Sequence, residues 1–156
     1  MKVQVIQRPE VKIAYLRHTG PYGQPISEFW RKLVSPWMEA NNLFGKARYG
    51  ISHDDPGITS ADKCRYDACV EVPADFVASG PCFTAVIAGG SYAKTRYYGS
   101  GRDIGDSWNS LLRDWLPASG MQLDARPCFE YYPANAAYDA ETGAFECDIC
   151  IPVVPL

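Results

Sequence analysis

Phe29-Trp30-Arg31-Lys32-Leu33-Val34-Ser35-Pro36-Trp37 and Ser107-Trp108-Asn109-Ser110-Leu111-Leu112-Arg113-Asp114-Trp115 are one pattern written twice, and they decide the fold. Trp30 and Trp37 return as Trp108 and Trp115, 78 positions later, and the members of each pair stand seven apart. Similarity at a fixed offset is the mark of a duplicated unit. The offset persists on both sides of the tryptophans. Asp67-Ala68-Cys69 returns as Asp148-Ile149-Cys150 after 81 positions, and Arg17 to Gly20 faces Arg96 to Gly99 after 79. Loops absorb the difference, which leaves two similar halves, roughly residues 1–77 and 81–156, within a single domain spanning 1–156.

Each half reads strand, helix, strand, strand. Residues 11–17 (VKIAYLR) are extended, with β-branched and aromatic side chains, and GPYGQ is a turn. Pro25 suits a first helical turn, where its missing N–H costs nothing. A helix from about Pro25 to Asn41 follows, with Phe29, Trp30, Leu33, Val34, Trp37 and Met38 on one apolar stripe and a kink expected at Pro36. Strands at KARYGISHD and RYDACVEVP come next, joined by the turn-rich DDPGITSADK. The second half opens on FTAVIAGGSYAKTRYYG, read as one strand whose Gly89-Gly90 pair signals a bulge or a close backbone approach. Its helix carries Ile104, Trp108, Leu111, Leu112 and Trp115 and is expected to stop at Pro117; strands at PCFEYY and FECDICIPV complete it. The expected fold is α+β: two main helices against an antiparallel sheet, with a ligand cleft between the halves.

With 156 residues, 47% hydrophobic and 21% charged, the composition is that of one soluble domain. A net charge of -3 with scattered Lys and Arg argues against direct nucleic-acid binding. No apolar run approaches the roughly 20 residues of a membrane span, and residues 1–17 lack the apolar centre of a signal peptide, so a cytoplasmic protein with no membrane association is expected. The six cysteines are then reduced, small core residues. Cys147 and Cys150 have a metal-motif spacing, but an odd separation within a strand points them to opposite faces. With only His18 and His53 besides, neither a metal nor a cofactor is expected. The two histidines read as solvated turn residues, and Asp54 and Asp55 as turn formers. No nucleophile elbow, phosphate loop or HExxH is present.

One charge stands out. In Arg126-Pro127-Cys128-Phe129-Glu130-Tyr131-Tyr132-Pro133-Ala134-Asn135 a period of two puts Cys128, Glu130 and Tyr132 on one face and Phe129 and Tyr131 on the other, so neither face is polar. Aligning the halves sets Glu130 against Gly50, so one half alone supplies a carboxylate. Burial can lift a Glu from about 4.3 to roughly 8–9. Such a group has two uses. It can neutralise a cationic ligand, with aromatic faces adding about 0.5–2 kcal/mol each, or it can transfer a proton as a general acid or base. Tryptophans seven apart on a helix are ordinary core residues, whereas ten tyrosines suit the lining of a partly wet pocket.

Taken in order, HTGPY before a Trp-bearing helix, YGISHDDP, CRYDACVEVP, AGGSYAKTRYYGS, DWLPASGMQL, RPCFEYY and the terminal DICIPV resemble the GyrI-like small-molecule-binding family, across nearly the whole chain. Its relatives include effector-binding domains of AraC-type and MerR-type regulators and gyrase-inhibitor proteins. The resemblance implies a duplicated strand-helix-strand-strand fold in which Glu130 is the pocket carboxylate, with Trp30, Trp108, Tyr132 and Phe145 lining the pocket. It also implies hydrophobic, cationic ligands, with drug or effector binding, sequestration or toxin protection as roles. The alternative it implies is a hydrolase of strained, cyclopropane-bearing molecules with Glu130 as general acid or base. No helix-turn-helix precedes the domain, so a stand-alone module is expected; gyrase or another protein as partner has no dedicated sequence feature behind it.

Overall fold

Pro9 lacks the N–H a strand would use, and the N-terminal extended stretch breaks there into β1 (Gln4–Arg8) and β2 (Val11–Thr19). The computed structural model describes all residues, 1–156. In the second half the matching break falls at Ala88 and Gly89, so the stretch read as one strand is two, β5 (Phe83–Ile87) and β6 (Gly90–Gly99). The other strands are β3 (Arg48–Ser52), β4 (Arg65–Glu71), β7 (Met121–Leu123), β8 (Phe129–Tyr132) and β9 (Phe145–Pro155). Two helices, α1 (residues 24–40) and α2 (residues 104–118), connect the second and third strands of each half.

The sheet is antiparallel throughout, in the order β1-β6-β9-β8-β3-β4-β2-β5, with β7 added on β9. Read from either end the order is the same under exchange of the halves. The leading strand of each half has crossed over: β1 pairs with β6, and β5 pairs with β2. Each half therefore has one more strand than its local pattern shows, and that strand belongs to the other half's part of the sheet. At the centre β3 pairs with β8 in the register Arg48↔Tyr132, Tyr49↔Tyr131, Gly50↔Glu130. Gly50 and Glu130 are equivalent in the repeat and directly opposed in the sheet, so the pseudo-two-fold axis passes between them.

The exchange explains Gly89. A Cβ there would lie 2.9 Å from the Arg8 carbonyl oxygen and 2.9 Å from the Glu10 nitrogen, so the two crossover connections touch backbone to backbone. The pair of glycines marks a close approach where strands change partners. Gly89→Ala is expected to cost about 1–3 kcal/mol, because neither neighbour is a side chain that can swing away. Urea denaturation measures this; an unchanged midpoint would mean that the crossing is slack.

In both helices a wide π-type turn stands ahead of a proline: Trp30–Val34 before Pro36, and Ser110–Trp115 before Pro117. Proline has no N–H to donate and crowds the carbonyl four residues back, and a wider turn relieves both. Pro117 consequently does not stop α2, which runs on through Leu116–Ala118. The extra residue also rotates Leu33 off the apolar stripe, leaving it 59% exposed, while Phe29, Val34, Trp37 and Met38 are buried.

One core lies between α1 and the sheet (Ala14, Leu16, Val34, Trp37, Val70), and its counterpart under α2 holds Ala93, Leu111, Ile149, Ile151 and Val153. A third, on the opposite face of the sheet, is shared by both halves; there Phe129 packs edge-on to Tyr49 at 5.6 Å and to Tyr92 at 5.1 Å. Cys147 belongs to the α2 core and Cys150 to the shared one, as strand parity requires. The repeated aspartates are both buried. Asp67 accepts from Arg17 (2.7 Å) and pairs with His53 (2.6 Å), and Asp148 pairs with Arg96 (2.7 Å) and Lys94 (3.5 Å). His53 is thus held by a buried carboxylate and is not a free turn residue. Asp55 does form a turn, accepting from the Gly57 N–H, while Asp54 is bound by the Arg65 guanidinium at 2.9 Å. No helix is long and apolar enough to cross a membrane.

Candidate functional site

Glu130 lies on the pseudo-two-fold axis, on the sheet face that carries the helices, and its half-buried carboxylate is held by two neutral donors. Oε2 accepts from Trp108 Nε1 of α2 at 3.2 Å, and Oε1 accepts from the Tyr132 hydroxyl at 3.1 Å. Tyr132 reaches it because residues two apart on a strand share a face. Trp30 of α1 stands edge-on to Tyr132 at 6.2 Å, Tyr132 meets Phe145 of β9 at 5.9 Å, and Phe145 meets Tyr97 at 5.8 Å. All five residues expected at the site, Glu130, Trp30, Trp108, Tyr132 and Phe145, therefore come together, from both helices and two strands. The other tryptophan of each helical pair also packs on a core, Trp37 buried under α1 and Trp115 half-buried against the core under α2.

Tyr66 is the member that sequence reading missed. It is only 3% exposed, and its hydroxyl accepts the Trp30 indole N–H at 3.0 Å. A Cβ added to Gly50 would lie 2.2 Å from the Tyr66 hydroxyl oxygen and 2.9 Å from Glu130 Oε1. The phenol therefore occupies the space in which a symmetric second carboxylate would begin. The available signal was Gly50 itself, since glycine inside a strand marks a place where another group comes close.

The electrostatics are those of an uncompensated acid. None of the ion pairs in the protein includes Glu130. Burial pushes its carboxyl above the usual glutamate range, and the hydrogen bonds from Trp108 and Tyr132 pull it back only in part. Burial, and then the nearby Glu130 charge, hold the Tyr66 and Tyr132 phenols well above their ordinary value, so both stay neutral. No group of three or more His, Cys, Asp or Glu converges as a metal site would require. A concavity of about 180 Å³ is lined in part by Lys46 and Arg48, and another, of about 370 Å³, lies at Lys2, Lys94 and Arg96; none of the five site residues lines either.

Residues 1–154 match the model of the family described as GyrI-like small molecule binding domain. The chain belongs to the GyrI-like family. As a GyrI-like chain it is a small-molecule binding domain, and the match takes in both halves up to residue 154. It is 30% identical over 158 residues to a DNA gyrase inhibitor of Escherichia fergusonii (99% of each chain) and 28% identical over 156 residues to one of Erwinia billingiae (98% of this chain, 97% of the other). Among solved structures, the EcmrR C-terminal domain superposes with a TM-score of 0.78 at 14% identity, covering 99% of this chain and 98% of that one. SAV2435, described as bound to tetraphenylphosphonium, superposes with a TM-score of 0.64 at 16% identity, covering 99% and 94%. These two likenesses establish the fold.

Proposed function

We propose that this GyrI-like domain captures hydrophobic cations, with Glu130 as the counter-charge and Trp30, Trp108, Tyr132 and Phe145 as the aromatic lining. The observation that carries this reading is a half-buried carboxylate, bonded only to neutral donors and paired with no Lys or Arg, among aromatic rings. Its complement is a lipophilic cation, whose charge completes the pair while the rings provide stacking. The tetraphenylphosphonium bound by the similarly folded SAV2435 supports the same ligand chemistry.

Titrating tetraphenylphosphonium, followed by calorimetry or tryptophan fluorescence, tests it. The wild type is expected to bind, and Glu130→Gln to bind at least about thirtyfold more weakly, the lower end of what removing one member of a buried charge pair costs. Equal affinities would sink the role given to Glu130. The Tyr132–Glu130 hydrogen bond also suits a proton-transfer pair, so cyclopropane-bearing compounds belong in the same experiment; Glu130-dependent products would favour the hydrolase. The whole-length similarity to DNA gyrase inhibitors favours a further reading, action on gyrase, and a supercoiling assay with micromolar protein decides it by inhibition or its lack.

A further inference from the structure

Three arginines are drawn in from solvent: Arg8, Arg48 and Arg126. Arg8 donates to the Tyr49 hydroxyl at 3.0 Å, and Arg126 donates to Asp124 at 2.8 Å and to the Ser91 carbonyl at 3.0 Å. Arg48 has no such partner. Its guanidinium lies over the Tyr132 ring, 5.5 Å from the centroid, and makes neither an ion pair nor a hydrogen bond. Burial lowers its pKa, which is the response of a charge that the fold leaves uncompensated. Proximity to the C-terminal end of α1 does not account for it, because the guanidinium binds none of the helix's free carbonyls.

Arg48 also lines the concavity of about 180 Å³, together with Lys46, Ser35, Met38 and Ala134, and no acidic side chain lines it. Arg48 links this concavity to the Glu130 site, because its guanidinium also lies over the Tyr132 ring. Arg48 is directly opposite Tyr132 in the sheet and diagonal to Glu130, a step of about 7–8 Å between backbone positions. One tyrosine ring thus separates an unpaired carboxylate from an unpaired guanidinium, with a second cation beside the latter.

We infer that the site takes an amphoteric ligand: a cationic group at Glu130, an aromatic body against Tyr132, and an anionic group in the neighbouring concavity between Arg48 and Lys46. This rests on the cation-binding reading above and narrows it from hydrophobic cations to zwitterions. Arg48 is then the specificity-determining residue. It attracts the anionic end and disfavours a ligand that brings positive charge alone.

A matched pair of probes tests this: (4-carboxybutyl)triphenylphosphonium, a zwitterion at neutral pH, and pentyltriphenylphosphonium, which lacks the carboxylate. Wild type is expected to prefer the carboxylated probe at least tenfold. Arg48→Gln is expected to abolish that preference while binding the uncarboxylated probe as well as wild type or better, and Lys46→Gln is expected to reduce the preference in a chain altered only at an exposed position. Equal binding of the two probes by wild type, or an undiminished preference in both variants, overturns the inference and leaves the cation-binding reading standing. Failure of wild type to bind either probe removes both.

Discussion

Gly50→Ala is expected to destabilise the domain and block its site in one step. The new Cβ would stand 2.2 Å from the Tyr66 hydroxyl oxygen, 2.9 Å from the ring carbon that bears it and 2.9 Å from Glu130 Oε1. Carbon and oxygen do not approach so closely, so something must move. Tyr66 has little freedom to do so, because it is buried and its hydroxyl is bonded to the Trp30 indole. Overpacking of this kind costs about 1–3 kcal/mol, and each kcal/mol lowers Tm by about 2–4 °C in a chain of this size. The displaced carboxylate would also lose its Tyr132 bond, so cation affinity should fall at least tenfold. Tyr66→Phe removes the atom in the shortest contact. The double variant Gly50→Ala/Tyr66→Phe should therefore regain part of the lost stability, and a double-mutant cycle reads the coupling directly. Purely additive effects would show that the Cβ and the hydroxyl never compete for the same space.

The part of this arrangement legible in the sequence is the part set by period and offset. The repeat placed both helices, and the alignment of Glu130 with Gly50 proved to be a direct cross-strand pair at the axis. Alternation along FEYY put Glu130 and Tyr132 on one face, where they hydrogen bond. Glu130 is visible in the sequence as an unusual charge, whereas Trp30, Trp108, Tyr132 and Phe145 as its companions follow from the family resemblance. The strand exchange was not legible, because a period of two says which face a residue takes and nothing about which strand lies alongside. Residues 83–99 therefore read as one strand where Gly89 marks a change of partner. Pro36 and Pro117 were read differently, as a kink and a stop, although both are met by the same wide turn. Tyr66 and His53 escaped because their partners, Trp30 and Asp67, are distant in the chain and no local pattern links them.

Glu130→Gln should raise the stability of the ligand-free domain at neutral and alkaline pH while removing its affinity for cations. Because burial raises the Glu130 carboxyl above its ordinary value of 4.5, the unfolded chain gives up this proton before the folded one does. Between the ordinary and the raised value the folded state holds more protons, so wild-type stability falls as pH rises through that interval and then levels off. Glutamine does not titrate. It can accept from one of the two donors, Trp108 or Tyr132, while its amide group faces the other, which offsets part of the gain. The advantage of the variant should be a few degrees in Tm above the raised pKa, and it should close as pH falls toward that of an ordinary glutamate. Affinity runs the opposite way: only the ionised carboxylate attracts a cation, so wild-type binding strengthens as pH rises through the same interval, whereas the variant stays weak throughout. A ligand at one hundred times its Kd stabilises the folded state by about 2.7 kcal/mol. Saturating cation should therefore reverse the order, leaving wild type the more stable of the two at pH 8. Thermal melts of both proteins with and without tetraphenylphosphonium measure all four corners. If the ligand-free variant melts below wild type at pH 8, the ionised Glu130 supports the fold, and a carboxylate held at a cost for the sake of its ligand is the wrong account of this site.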